Sequence, residues 1–147
     1  MLDTTWVFDK MTKKWTSGPR MKEKRYFHTC IYDKEANVLF AIGGLDVGTD
    51  GEERRLATVE RLNLENNNPV WENTPSLPEP VANTAGVISK SADLIGIVAG
   101  GMANYGKSFK VWGLRRRDLG WDEMPRLQQG HSHHPMVNVA SDEIPGC

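Results

Sequence analysis

His131-Ser132-His133-His134 is the densest group of potential metal ligands in the chain. Imidazole is a common transition-metal ligand, and strand spacing would put His131 and His133 on one side. A zinc site would still need a third and a fourth ligand, so the segment reads as a polar connection entering a further structural unit. His28 and Cys30 also share a face at spacing two. Cysteine is often simply a small buried residue, and no metal is assigned to that pair. The acidic, glycine-rich run from Asp46 to Glu53 lacks the alternating aspartates and the bidentate glutamate of an EF-hand loop. It reads as a solvated, flexible loop. Lys107, Lys110 and Arg115-Arg116-Arg117 form a basic run. It is either a solvated turn or a contact for phosphate or an acidic peptide. Gly43-Gly44-Leu45-Asp46 and Gly100-Gly101-Met102-Ala103 are not phosphate loops, because neither is followed by a Lys-Ser/Thr pair opening a helix. No Gly-x-Ser-x-Gly elbow occurs, and Asp142-Glu143 stands near the end with no pocket implied. No catalytic, cofactor or metal set emerges, and the expectation is a protein that is not an enzyme.

The elements that must position these residues are read from composition and repeats. At 147 residues the chain fits about one domain, with 39% apolar and 25% charged residues as in globular chains. A formal charge of -1 excludes binding that rests on a global basic field, so nucleic acid is not an expected partner. No apolar run approaches the roughly 20 residues of a membrane helix. No basic segment followed by an apolar stretch opens the chain, so no secretory signal is seen. Two cysteines, Cys30 and Cys147, make no disulfide framework. The expected location is therefore the reducing cytoplasm.

Internal repetition decides the fold. Trp15, Trp71 and Trp121 recur, each followed six positions later by Met21, Leu77 or Leu127. Apolar runs end in Gly43-Gly44 and again in Gly100-Gly101. Short segments precede each Trp: Trp6-Val7-Phe8-Asp9, Thr58 to Leu62, and Phe109 to Trp112. The landmarks keep one order at a period of roughly 50 to 57 residues. Each unit reads as four strands separated by Gly, Asn, Asp and Pro. The expected strands of the first unit are 27–32, 38–42, 58–64 and 70–73. Those of the second are 83–89, 94–99, 109–114 and 120–123. The second strand of each unit is apolar at nearly every position, so both faces of its sheet must be covered. Such sheets stack as blades around an axis. Small residues on the first strand, Thr29-Cys30 and Thr84-Ala85-Gly86, suit the crowded position nearest that axis. The Trp of the fourth strand would fill the wedge between blades.

This pattern resembles the kelch repeat: an apolar run ending in Gly-Gly, a hydrophobic or Tyr position in the third strand, a Trp in the fourth, then Met-x-x-x-Arg. The best copy runs Trp15, Met21, Arg25, His28, Gly43-Gly44, Val59-Glu60, Trp71. The next has Leu77 for Met and Val81 for Arg, then Gly100-Gly101, Val111 and Trp121; the last start has Leu127 and His131. The expected fold is all-β: a partial β-propeller arc of about 2.75 four-stranded antiparallel blades, not closed. Its parts are the end of one blade (4–25), whole blades at 26–75 and 82–124, and the first strand of another within 131–140. The region as a whole is 1–147. Kelch propellers usually have six blades, so this chain is expected to be a fragment of a longer protein, to close a ring with a second copy, or to be completed by another protein. Exposed blade faces invite self-association.

The resemblance implies an unknown protein partner, bound on the ring face built by the second-to-third-strand loops and the inter-blade loops. Carried over by position, the face residues are Tyr26, Phe27, Leu45 and Asp46, then Ala82, Asn83, Met102, Ala103 and Asn104, and finally Ser132 and His133. Arg25 is expected to be structural, bridging neighbouring blades. Kelch propellers often form the substrate-binding end of cullin-type ubiquitin-ligase adaptors, of which this chain would be a part. The BTB domain and helical linker of such adaptors are not among these residues. An alternative is a kelch-type enzyme, a copper radical oxidase or a sialic-acid epimerase. Tyr26, Tyr32 and Tyr105 show no placeable copper pattern. A further alternative is a truncated product without independent function.

Overall fold

The computed structural model describes residues 3–137. Among them the regular structure is all strand. In chain order the strands are β1 (Trp6–Asp9), β2 (Lys14–Ser17), β3 (Thr29–Asp33), β4 (Val38–Ile42), β5 (Leu45–Val47), β6 (Glu53–Arg55) and β7 (Val59–Asn63). They continue with β8 (Trp71–Thr74), β9 (Ala85–Ile88), β10 (Leu94–Ala99), β11 (Met102–Ala103), β12 (Gly106–Lys107), β13 (Val111–Arg115) and β14 (Trp121–Met124). Strands β3-β4-β7-β8 form one four-stranded antiparallel sheet and β9-β10-β13-β14 form a second. The pair β1-β2 stands as a two-stranded ribbon before them. No sheet closes into a barrel, so the chain is an open arc of propeller-like blades.

The apolar second strand explains the stacking. In β4, Val38, Phe40 and Ile42 point to one side and join Ile95, Val98, Trp112 and Leu114 of the second sheet in one core. Leu39 and Ala41 point to the other side, against Met21, Leu62 and Trp71. Each large apolar side chain so buried contributes about 1.5–3 kcal/mol. The inner strands β3 and β9 lie side by side. A Cβ on Gly86 would come 2.9 Å from Thr29 Oγ1, which is the crowding expected near the axis.

The strand ends shift by up to two residues from expectation, and three readings change. The 46–53 segment is a loop only at 48–52, because its ends belong to a ribbon in which Leu45–Val47 pairs with Glu53–Arg55. A second ribbon, β11-β12, occupies the corresponding place in the next unit. Residues 131–137 form no strand, and the rest of the stretch 131–140, where a first strand is expected, lies outside the described residues, as do Asp142, Glu143 and Cys147. Cys30 is exposed rather than buried, because no inner strand stands beside it as β3 stands beside Gly86.

Candidate functional site

Two glycine pairs set the geometry of the loop face. Gly43 and Gly44 have φ of 61° and 104°, and Gly100 and Gly101 have 65° and 97°. These left-handed torsions favour glycine. They turn the chain out of β4 and β10 so that the next residue meets the connection entering the blade. Leu45 and Tyr26 exchange backbone hydrogen bonds at 2.8 and 3.0 Å, and Met102 and Ala82 do so at 2.7 and 3.1 Å. The two groups of residues expected on the ring face are therefore joined directly.

The following residue in each connection is also left-handed: Phe27 (53°), Asn83 (56°) and His133 (57°). For a bulky residue such as Phe this costs about 1–2 kcal/mol. The three are linked in series. Asn83 N–H donates to the Phe27 carbonyl at 2.9 Å, and His133 N–H donates to the Asn83 carbonyl at 3.2 Å. Rings gather at the same place: Phe27 lies 5.0 Å from Tyr26 and 6.0 Å, edge-on, from His133. Phe27 remains exposed.

The ribbons add polar groups. Tyr26 Oη donates a hydrogen bond to Glu53, and that bond, with desolvation and the charges of Glu53 and Asp46, raises the phenol's pKa. Asn104 and Tyr105 form the tip of β11-β12, with Tyr105 fully exposed. Glu53 and Tyr105 were not anticipated from sequence. The Asn104-Tyr105-Gly106 turn, with Gly106 at φ 115°, was the available signal for the second. Ser132 lies beside His133, and among the described residues no ribbon pairs with it.

The histidines group differently from the expected strand pattern. His131 and His134 rings are 5.6 Å apart, while His133 turns to Phe27. Among the described residues no three His, Cys, Asp or Glu side chains come together as a metal would require. His28 is half-buried, and burial, reinforced by Arg25, lowers its pKa. Arg25 is fully buried and structural. Its guanidinium donates to the Gly43 carbonyl at 2.7 Å, to the Thr58 carbonyl at 3.1 Å and to Glu60 at 2.7 Å. It thus ties the connection leaving the β1-β2 ribbon to the next blade. At the opposite end of the blades, a groove of about 590 Å³ is lined by Arg115, Arg116 and Arg117. Two of these arginines are paired: Arg115 with Asp118 and Asp122, and Arg116 with Asp33 at 2.8 Å. The run is thus a turn in which Arg115 and Arg116 are held by carboxylates while Arg117 stays largely exposed.

No protein-family model matches the chain, and no curated protein matches it. Among solved structures the chain is similar to that of YjhT, with a TM-score of 0.72 at 19% identity. The match covers 90% of this chain and 41% of YjhT, so the chain spans about two fifths of that protein's length. At this identity the likeness is one of fold.

Proposed function

We propose that this chain is a segment of a kelch-type propeller that binds a protein partner on the face around Phe27, Asn83 and His133. It acts by binding rather than by catalysis, in the cytoplasm. The observation that carries the reading is the series of left-handed residues at the mouth of the blades. Strain at non-glycine positions persists where something over-determines it, and it clusters at recognition sites. Here it presents an exposed Phe27 ring beside Tyr26 and His133. Aromatic anchors of this type dominate protein interfaces, and loops on a rigid scaffold are where recognition concentrates. The kelch resemblance supports a further step, in which the partner is a substrate recruited to a ubiquitin ligase.

Photo-crosslinking from single positions tests this. A benzoylphenylalanine at position 27 or 105 is expected to give discrete partner adducts in cytosolic extract, and one at position 117, on the opposite end of the blades, to give none. Equal adducts from 117, or none from 27 and 105, would contradict the assignment.

A further inference from the structure

Three contacts repeat between consecutive units. The Trp of each fourth strand donates its indole N–H to the carbonyl of the Pro that closes the preceding unit: Trp71 to Pro19 at 3.2 Å, Trp121 to Pro75 at 3.0 Å. An apolar side chain of the connection shares a cluster with that Trp, Met21 with Trp71 and Leu77 with Trp121. The left-handed residue opening each unit donates its N–H to the carbonyl of its predecessor, Asn83 to Phe27 and His133 to Asn83.

At the two ends of the arc the same contacts stand half-made. At the first end Trp15 is 64% exposed, against 3% for Trp71. Its ring packs 5.0 Å from Phe8, which is itself exposed. Among the described residues neither the Trp15 indole N–H nor the Phe27 N–H has an acceptor. At the other end Pro125 is exposed, Leu127 is only half-buried, and the carbonyls of Pro125 and His133 accept nothing among the described residues. Each open donor at one end has its acceptor at the other, in the order used inside the arc.

We propose that these ends dock on one another between two copies of the chain, head to tail. Trp15 of one copy donates to the Pro125 carbonyl of the second, Leu127 of the second covers Phe8 and Trp15, and the Phe27 N–H meets the His133 carbonyl. One rigid placement makes all three contacts, because it repeats the relation between internal units. The shared blade sets β1-β2 of one copy beside the 131–137 segment of the other, with the second-strand position between them unfilled among the described residues. The contact joins two different patches and is therefore heterologous. Joined at both ends, two copies give four whole and two shared blades, within the range of about four to eight that closes a ring, which favours a closed pair over an open filament. Cys30 reports on the junction. It holds the place of Gly86, which packs on the neighbouring inner strand, so a second copy covers it.

Sedimentation of the full chain up to about 100 µM, with thiol-labelling rates for Cys30, tests the proposal. The wild type is expected to associate and its Cys30 labelling to slow at least tenfold with concentration. Phe8→Lys and Leu127→Lys are each expected to remain monomeric. An equimolar mixture of the two retains one intact junction and is expected to give heterodimers, which misfolded variants could not. A wild type that stays monomeric, association that either lysine leaves intact, or variants that fail to complement would overturn the head-to-tail contact.

Discussion

Arg25 and Glu60 are both wholly out of water, and their ion pair at 2.7 Å is completed by Lys22 and Glu23 N–H groups donating to the carboxylate. Removing one partner leaves the other charge buried and uncompensated. Arg25→Ala is therefore expected to cost about 3–5 kcal/mol in chemical denaturation. The second unit solves the same place without charge, with Val81 and Trp112 both buried in the apolar core. A double change of Arg25 and Glu60 to apolar residues is accordingly expected to cost less than the two single changes added together. His28 gives the pH dependence. Burial holds its folded pKa below the ordinary 6.5, so the unfolded chain takes up the proton first. Stability is complete above about pH 6.5 and falls as the pH drops through and below that value. His28→Gln is expected to flatten the decline between about pH 7.5 and 5.5 in melting curves; an unchanged slope would remove His28 as its source.

The blade is the unit at the next scale, and its glycine pair is what fixes the loop face to the inner strand. At Gly101 φ is 97°, and an added Cβ would lie 2.6 Å from the Ala82 carbonyl oxygen. Gly101→Ala is expected to lower stability by about 1–3 kcal/mol and to loosen the Met102–Ala82 bridge, visible as faster amide exchange at both. These glycines, the tryptophans and the apolar second strands were legible in the sequence, because each is imposed by a local requirement: a left-handed torsion, a wedge to fill, two covered faces. The β5-β6 ribbon was not. Gly48, Asp50 and Gly51 read as loop chemistry, and only three residues on each side pair. Nor was the left-handed series. Asn83 and His133 are residue types that tolerate such torsions, but Phe27 is not, and only the tertiary hydrogen bonds between units reveal the series. Cys30 misled for a related reason. Its small size suits a crowded inner strand, whereas among the described residues no inner strand packs against it and it is exposed.

At the scale of the whole molecule, two blades and a ribbon lean on one another through a short set of repeated contacts, and the loop face follows from that stacking. The Trp-to-Pro hydrogen bonds recur at both junctions between units and join each fourth strand to the connection of the unit before it. Indole N–H exchange, followed by NMR on dilute, unassociated chain, reads them directly. Trp71 and Trp121, bonded to Pro19 and Pro75, are expected to exchange at least tenfold more slowly than Trp15. Uniformly fast exchange at all three would contradict the stacked-blade account.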